Sequence, residues 1–315
     1  MSDLPSSVHI NEEGPREGFQ IEKGPIPTAR KVALIDALSQ TGLDHMQIAS
    51  FVNPKNVPGM ADADAVVDNI TPQPGVAYTA LWLNEKGFER ALKHDRLTNT
   101  GTIQLSASEK FSKRNQNRDA AQQLAAQHNL VAMYKAAGVA VERGSIMAAF
   151  GCNFAGDIPV SHLAALVQQI LDVANEHGVT LGYITLADTM AWATPLSIKR
   201  VLGALRERWP DLSFALHLHD TRGMAIANAF AGLEMGVTRF DSSVAGLGGC
   251  PFAGHQGAAG NVCTEDLVFM CNELGIQTGV ELDVLIECAK LAEDVIGHPL
   301  PGSVMKGGTL AKFRG

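Results

Sequence analysis

Short β-rich segments alternate along this sequence with longer stretches of helical periodicity. Eight segments have strand character, and they are VHINEEG, HMQIASF, GVAYTALW, GTIQLSAS, VERGSIMAAF, TLGYITLAD, FALHLHD and RFDSSVAG. Amphipathic stretches lie between them, for example residues 28–42, 119–138, 161–178 and 225–236, and each of these ends in the glycine that is common after helices. A strand-helix unit that recurs eight times predicts an α/β fold of the (β/α)8 TIM barrel type.

The domain organisation follows from the same pattern. The main alternative fold is a doubly wound open sheet, but no GxGxxG motif follows the first strand. The 315 residues fit one large barrel, and no Pro-rich or Ser-rich linker divides them, so we predict one TIM-barrel catalytic domain over residues 1–315. From about residue 297 the sequence is rich in glycine and irregular, so we expect this tail to pack late or poorly.

Composition and charge exclude several classes of protein. With 46% hydrophobic and 18% charged residues, the chain can bury a substantial core. The net charge of -8 is spread without basic runs, which argues against nucleic acid as a partner and favours a small-molecule substrate. The five cysteines form no CxxC pair, which is typical of a reducing compartment. The sequence has no signal core or spanning apolar run, so we expect a cytoplasmic protein without membrane contact.

The segment HLHDTRG places His217 and His219 on one face of the seventh predicted strand, because alternate residues of a strand point the same way. Reactive side chains of TIM barrels collect at the carboxyl ends of the strands. Two imidazoles with oxygen donors suit Mg2+ or Mn2+ better than a closed thiolate zinc site. The candidate oxygen donors are Glu17 and Asn261, with Glu12 nearby. Alternatively, the two histidines only line a polar barrel interior.

Several loop motifs link the chain to a known family. Between about residues 9 and 300 the sequence resembles the 3-hydroxy-3-methylglutaryl-CoA lyases, which are members of the DRE-TIM metallolyases. The motifs that carry this resemblance are GPREGFQ, SFVNPKNVPGM, SASEKFSKRN, FGCNFAG, LADT, HLHDTRG, DSSVAGLGGCPFAGHQGAAGN and TEDLVFM. The run DSSVAGLGGCP is the most specific of them, since condensing relatives such as isopropylmalate synthase lack this cysteine-bearing glycine loop.

The resemblance implies retro-Claisen cleavage of a 3-hydroxyacyl-CoA to acetyl-CoA and a keto acid, as in leucine degradation. A divalent ion held by Glu17, His217, His219 and Asn261 would stabilise the alkoxide, and an imidazole there, that of His217, would also relay the hydroxyl proton. Arg16 stands at the family's arginine position and would stabilise the enolate that develops at the thioester oxygen. A salt bridge to a neighbouring carboxylate is the alternative role for this arginine.

Further residues acquire roles from the same resemblance. Cys250 occupies the lyase cysteine position in a glycine-rich loop and would deliver a proton to the enolate carbon, unlike Cys271 and Cys288, which suit a buried core. Asp188 matches an active-site aspartate that would orient a ligand or transfer a proton, although capping of the next helix is nearly as well supported. Glu265 would support the metal shell or form the acidic first turn of a helix.

The CoA side of the barrel mouth is expected after the fourth strand. There the segment SASEKFSKRNQNR offers Lys113, Arg114 and Asn115 as contacts for coenzyme A. A solvated helix start with mixed charge explains the same residues equally well. The resemblance also implies a homodimer.

Three departures from the lyase pattern affect the site. Glu17 replaces the usual aspartate, and the extra methylene displaces the carboxylate by about 1 Å or more, whereas ligand distances tolerate about 0.2 Å. Gln47 replaces a glutamate and removes a negative charge beside the site. The loop from Cys250 to Asn261 is longer than usual and introduces His255, which is either a titrating group over the site or an exposed loop residue.

These departures leave the substrate open. The candidates are 3-hydroxy-3-methylglutaryl-CoA and a close analogue such as citramalyl-CoA. Two other classes of function stay under consideration, namely a Claisen-condensing acyltransferase that has no need of Cys250 and a catalytically inactive protein that still binds CoA.

Overall fold

The computed structural model describes residues 4–22, 24–249 and 260–314. Its strands are β1 His9–Glu12, β2 His45–Ser50, β3 Ala77–Leu81, β4 Gly101–Ser106, β5 Val141–Met147, β6 Tyr183–Asp188, β7 Phe214–Leu218 and β8 Arg239–Ser242. They form one parallel sheet in which β1 pairs with both β2 and β8, so the sheet curls round and its end strands are β3 and β4. This arrangement confirms the predicted (β/α)8 barrel, and each strand lies within one of the eight predicted segments.

Helices follow the strands, and their bounds match the predicted amphipathic stretches. They are α1 Gly14–Ile21, α2 Thr28–Leu38, α3 Ala63–Asn69, α4 Glu85–Ala91, α5 Glu109–Gln116, α6 Ala120–Ala136, α7 Val160–Glu176, α8 Pro195–Arg208, α9 Ala225–Glu234, α10 Thr264–Glu273, α11 Leu282–Ile296 and α12 Val304–Gly307. α6 begins in a capping box, in which the Asp119 carboxylate accepts from the Gln122 amide at 2.9 Å. Among the described residues, no helix is long and apolar enough to cross a bilayer.

The core lies between the sheet and the surrounding helices. Apolar residues alternate along the strands with inward-facing residues and are buried against the helices. They include Ile10, Ile48, Ile146, Ile184 and Leu216. The inward positions that line the barrel cavity are mostly polar or small, and they include Asn11, Gln47, Thr79, Gln104, Ser145, Ala187 and His217. This barrel therefore keeps an apolar outer layer and a polar interior, whereas branched apolar residues usually fill the interior of a TIM barrel.

The carboxyl-terminal segment packs more closely than its sequence suggested. Leu300 and Met305 are buried in the main hydrophobic cluster, and Met305 lies in the short helix α12. The Gly302 amide donates to the Ala245 carbonyl at 3.3 Å, which fixes the segment against the turn after β8. These contacts place the glycine-rich end of the chain behind the candidate site.

Candidate metal and active site

Three side chains that could ligate a metal ion meet at the carboxyl end of the barrel. Glu17 lies on α1, just after β1, while His217 and His219 belong to the end of β7 and the residue after it. The Nε2 atoms of the two histidines are 3.3 Å apart, and the Glu17 carboxylate oxygens lie 3.6 Å from His217 and 3.5 Å from His219. Adjacent ligands of a six-coordinate ion with bonds of about 2.1 Å stand about 3 Å apart, so the two nitrogens and the Glu17 oxygens have nearly the spacing of a metal site.

The outer nitrogens of the two histidines fix the orientation of the rings. His219 donates through Nδ1 to the Thr189 carbonyl at 2.7 Å, and His217 Nδ1 lies 3.2 Å from the Asp241 carboxylate. Both Nε2 atoms consequently face the same point, as in metal sites whose histidines are oriented by outer hydrogen bonds. All four of the side chains His217, His219, Glu17 and Asp241 are buried, so water screens them weakly.

Asn261 contributes a fourth group to this cluster. Its Nδ2 donates to Glu17 at 2.6 Å and to the Ser243 hydroxyl at 2.7 Å, whereas its buried Oδ1 has no hydrogen-bond partner. A buried acceptor without a partner is costly, and an amide oxygen is a ligand that Mg2+ and Mn2+ accept. The residues present therefore fit the divalent ion that the sequence predicted.

Arg16 stands beside this group at the start of α1. Its guanidinium donates to Glu17 at 2.7 Å and, through Nε and the other Nη, to Gln47 and Glu13. The short first turn of α1 holds Glu13, Arg16 and Glu17 close together, because residues three and four apart share a helix face. The predicted alternative of a salt bridge to a neighbouring carboxylate is thus present in the structure.

A second, largely buried network of charged groups lies beside the histidines. Arg143 reaches from β5 across the barrel interior to Asp241 at 2.5 Å and to the Thr185 hydroxyl at 2.9 Å, and Glu13 lies 3.7 Å from the same guanidinium. Asn11 donates to the other Asp241 oxygen at 2.8 Å. These contacts close the floor of the site on the side of β5, β8 and β1.

The electrostatic balance of the network shifts several pKa values. Burial opposes ionisation, but Arg143 and His217 outweigh it and hold the pKa of Asp241 well below its usual range. Arg16 and the two histidines likewise lower the pKa of Glu17 despite burial. For His217, burial disfavours the charged ring, yet Asp241 and the glutamates raise its pKa to about 9. The negative carboxylates thus favour positive charge, from a proton or a metal ion, at the centre of the site.

Comparison with known proteins identifies the family to which this site belongs. A family model described as HMGL-like matches residues 7–292. The chain belongs to the HMGL-like family. This HMGL-like chain is 39% identical over 299 residues to hydroxymethylglutaryl-CoA lyase YngG of Bacillus subtilis, a match that covers 94% of this chain and 96% of that protein.

Solved structures support the same assignment. The crystal structure of the Bacillus subtilis HMG-CoA lyase superposes on the HMGL-like chain with a TM-score of 0.89 at 37% identity and covers 97% of this chain and 99% of the other. An HMG-CoA lyase from Acinetobacter baumannii, solved with coenzyme A and 3-methylmalate, has a TM-score of 0.87 at 35% identity and covers 99% and 98%. The resemblance seen in the motifs is confirmed, and the HMGL-like protein is an enzyme of the lyase type.

Asp188 of the HMGL-like chain lies at the end of β6, outside the group of Glu17, His217 and His219. Its two oxygens accept from the backbone amides of Trp192 at 2.7 Å and Ala193 at 3.1 Å, in the turn that precedes α8. Burial raises its pKa to about 6 although both amides oppose the rise. Asp188 therefore holds the turn before α8, whose N-cap is Thr194, and its part in proton transfer stays a prediction.

Glu12 and Glu265 are buried behind the site and not within its ligand group. Glu12 accepts from the Val244 amide at 2.9 Å and from the Thr264 hydroxyl at 2.6 Å. Glu265 accepts from the Ala245 amide at 3.0 Å. Both carboxyls hold the turn after β8, and Glu12 lies outside the group of oxygen donors for which the sequence made it a candidate. Glu265 lies in the acidic first turn of α10, which is one of its two predicted roles.

The three residues predicted to contact coenzyme A lie on α5 at the barrel mouth. Lys113 is exposed and pairs with Glu109 at 3.0 Å, Arg114 lies over the Phe154 ring at 4.3 Å, and Asn115 lines the cavity. Among the three, only Asn115 borders the cavity that leads to the histidines. Cys250 and His255 fall outside the described residues.

Sequence reasoning missed Glu13, Arg143 and Asp241. Each sits at a strand or at its end, at a position where apolar residues alternate with polar ones. Asn11 and Glu13 are two residues apart, as are Asp241 and Ser243, which is the spacing that gives a strand an inward polar face. This alternation of polar and apolar residues was the sequence signal that could have identified Glu13, Arg143 and Asp241 as residues of the barrel interior.

Proposed function

We propose that the protein is a metal-dependent carbon-carbon lyase that cleaves a 3-hydroxyacyl-CoA, such as 3-hydroxy-3-methylglutaryl-CoA, to acetyl-CoA and a keto acid. The observation that carries the proposal is the unpartnered Asn261 Oδ1 beside the converging atoms of Glu17, His217 and His219, with Arg16 within hydrogen-bond distance. The relatives named HMG-CoA lyase, one of them solved with coenzyme A, support a CoA ester as substrate.

In this proposal Glu17, His217, His219 and Asn261 would hold Mg2+ or Mn2+, which would supply a Lewis acid beside the substrate hydroxyl. His217 has two roles in turn. Its Nε2 would be one of the donors to the ion, and when that nitrogen is not bound it accepts the hydroxyl proton and later passes it to solvent. Asp241 and Glu13 stabilise the resulting imidazolium, because their carboxylates lie 3.2 and 3.7 Å from its Nδ1.

Loss of the hydroxyl proton allows the bond between the carbinol carbon and Cα to break. The oxygen forms the carbonyl of the keto acid, and the electron pair of the broken bond passes to the acetyl thioester as an enolate. Arg16 donates to the enolate oxygen, since it is the guanidinium at the cavity edge beside Glu17. Cys250 delivers the proton that converts the enolate carbon into the methyl group of acetyl-CoA, and the thiolate regains a proton from solvent.

Mass spectrometry of reaction products tests this function. Wild-type protein with Mg2+ or Mn2+ is expected to convert 3-hydroxy-3-methylglutaryl-CoA to acetyl-CoA and acetoacetate, and a chelator should stop the reaction. Cys250→Ala should lose most of the rate, while the matched variant Cys271→Ala, in the core of α10, should keep it. Cleavage that persists in chelator, or full activity of Cys250→Ala, would contradict the proposal.

A further inference from the structure

The barrel interior contains more space than the candidate metal site needs. A cavity of about 480 Å3 extends from the mouth, at Asn115 and Gly249, to the amino-terminal ends of the strands, at His9 and Tyr183. Its wall combines polar side chains, such as Gln47 and Gln104, with apolar ones, such as Leu130, whereas TIM barrels usually fill this volume with layers of branched apolar side chains. A cavity with these polar groups accommodates water or a polar ligand, because the groups need hydrogen-bond partners.

The cavity borders all eight strands, and part of it lies beside β2, β3 and β4. Arg143, Asp241, Asn11 and Glu13 form the hydrogen-bonded and ion-paired floor beside the histidines on the side of β5, β8 and β1. On the other side, no ladder joins β3 to β4 within the described ranges, and the cavity extends between these strands as far as Tyr134 on α6. We call the part of the cavity on that side the polar chamber, and define it by His45, Gln47, Thr79, Thr102 and Gln104.

The polar chamber carries hydrogen-bonding groups but no net charge. Burial lowers the pKa of His45 to about 4, so its imidazole is neutral at physiological pH. Its Nδ1 is buried without a hydrogen-bond partner. The nearest arginines are already paired, Arg16 with Glu13 and Glu17 and Arg143 with Asp241. An unpaired buried nitrogen favours a ligand with a hydroxyl or carbonyl, and the paired arginines leave no cation for a second carboxylate.

We propose that the polar chamber binds an uncharged hydrogen-bonding group at the end of a substituent larger than methyl, carried by the hydroxyl-bearing carbon of the substrate. The inference rests on the proposed function, because the metal group and Arg16 fix the hydroxyl and the thioester at the mouth and direct the remaining substituent inward. The substrate class is then a 3-hydroxyglutaryl-CoA with a hydroxyalkyl or oxoalkyl chain at C3. An apolar chain of equal length leaves the His45 nitrogen without a partner.

A pair of isosteric substrates tests the inference. 3-Hydroxy-3-(3-hydroxypropyl)glutaryl-CoA and its 3-butyl analogue differ only in a terminal hydroxyl or methyl. Wild-type kcat/KM is expected to favour the hydroxypropyl ester roughly tenfold or more, since a site with an unpaired polar group discriminates against a partner that cannot pair with it. His45→Val and Gln104→Leu should each reduce this ratio toward one. The control His128→Val changes a histidine that pairs with His177 on the outer helices, and it should keep the ratio.

A binding measurement separates this inference from the reaction itself. The free diacids 3-hydroxy-3-(3-hydroxypropyl)glutarate and 3-hydroxy-3-butylglutarate are titrated calorimetrically into wild-type, His45→Val and His128→Val protein with Mg2+ present. Tighter binding of the hydroxypropyl diacid to wild type and to His128→Val, but not to His45→Val, supports the polar chamber even if no CoA ester is cleaved. If wild-type protein binds the two diacids with equal affinity, or binds neither, the inference is overturned. Failure of the proposed function appears separately, as absence of cleavage with every ester.

Discussion

At the scale of single residues, Arg16 connects the charged groups of the site. Its planar guanidinium donates in three directions, toward Gln47, Glu13 and Glu17. A lysine at this position keeps the charge but cannot donate along three fixed directions in one plane. The geometry of the guanidinium, and not the charge alone, therefore holds these three side chains together, and in the proposed mechanism the same group donates to the developing enolate.

Arg16→Lys is expected to lower kcat roughly 100-fold to 1,000-fold, the range found when a donor to a developing oxyanion is removed. The dissociation constant for Mn2+ should change only a few-fold, because the ligating atoms stay in place. Steady-state kinetics and a Mn2+ titration measure the two effects. Arg30→Lys is the matched control, since Arg30 pairs with Asp294 at the surface. Unchanged kcat in Arg16→Lys would remove this residue from the mechanism.

The sequence was sufficient to find the residues that lie next to recognisable loop motifs. Arg16, Glu17, His217, His219 and Asn261 were all predicted as site residues, and the structure places them in one buried group. Their roles remain predictions. The buried network of Glu13, Arg143 and Asp241 was missed because a charged residue inside a strand predicts an exposed sheet face unless the partner across the barrel is known.

At the scale of elements, the turn after β8 links the barrel to the ligand group. Glu12 and Glu265 accept from the amides of Val244 and Ala245, and Ala245 adopts a left-handed conformation with φ of 57°. The turn leads to Gly248, where φ is 90°. A Cβ at position 248 would stand 2.5 Å from the Glu17 Cβ and 2.8 Å from the Asn261 amide nitrogen, so only glycine fits beside the ligands.

Gly248→Ala is accordingly expected to weaken Mn2+ binding at least about tenfold, because the new methyl group must displace Glu17 or Asn261. Gly275→Ala is the matched control. Gly275 also has positive φ, of 73°, but a Cβ there meets no atom within 4 Å. Calorimetric titration of both variants separates backbone strain, which they share, from the collision with the ligand group. Equal affinities in the two variants would contradict this account of the loop.

The positions of strands and helices were predictable to within a few residues. Apolar residues recur at different spacings in strands and helices, and glycine marks the turns between them. The structure of the tail after Gly297 could not be predicted in this way, since a glycine-rich segment gives no periodic signal. Its burial depends on long-range contacts, such as that of Gly302 with Ala245. The polar chamber also escaped prediction, because the sequence does not reveal which inward positions leave empty space.

At the scale of the whole molecule, buried carboxyls make stability depend on pH. Burial raises the pKa of Glu265 to about 7, and its hydrogen bonds only partly oppose this. The unfolded chain releases this proton near pH 4.5 and the folded chain near pH 7, so the folded state holds more protons between these values. Stability therefore falls as pH rises through this window, by up to about 3 kcal/mol for a shift of this size.

Glu265→Gln removes the titrating group, and its Tm should fall less than that of wild type when the pH is raised from 5 to 8. Thermal unfolding at several pH values measures the difference, with Glu287→Gln as a control at an exposed glutamate that pairs only with Lys290. A variant whose Tm changes with pH as strongly as that of wild type would show that Glu265 is not the source of this dependence.

The most direct test of the account is the number of Mn2+ ions that the purified protein binds, measured by titration with electron paramagnetic resonance detection. The account predicts one tightly bound ion per chain in wild type and in His128→Ala. It predicts at least about a tenfold loss of affinity in His219→Ala, whose ring lies 3.5 Å from Glu17. Wild-type protein that binds no Mn2+, or His219→Ala that binds it as tightly as wild type, would contradict the central claim that these side chains hold a divalent cation.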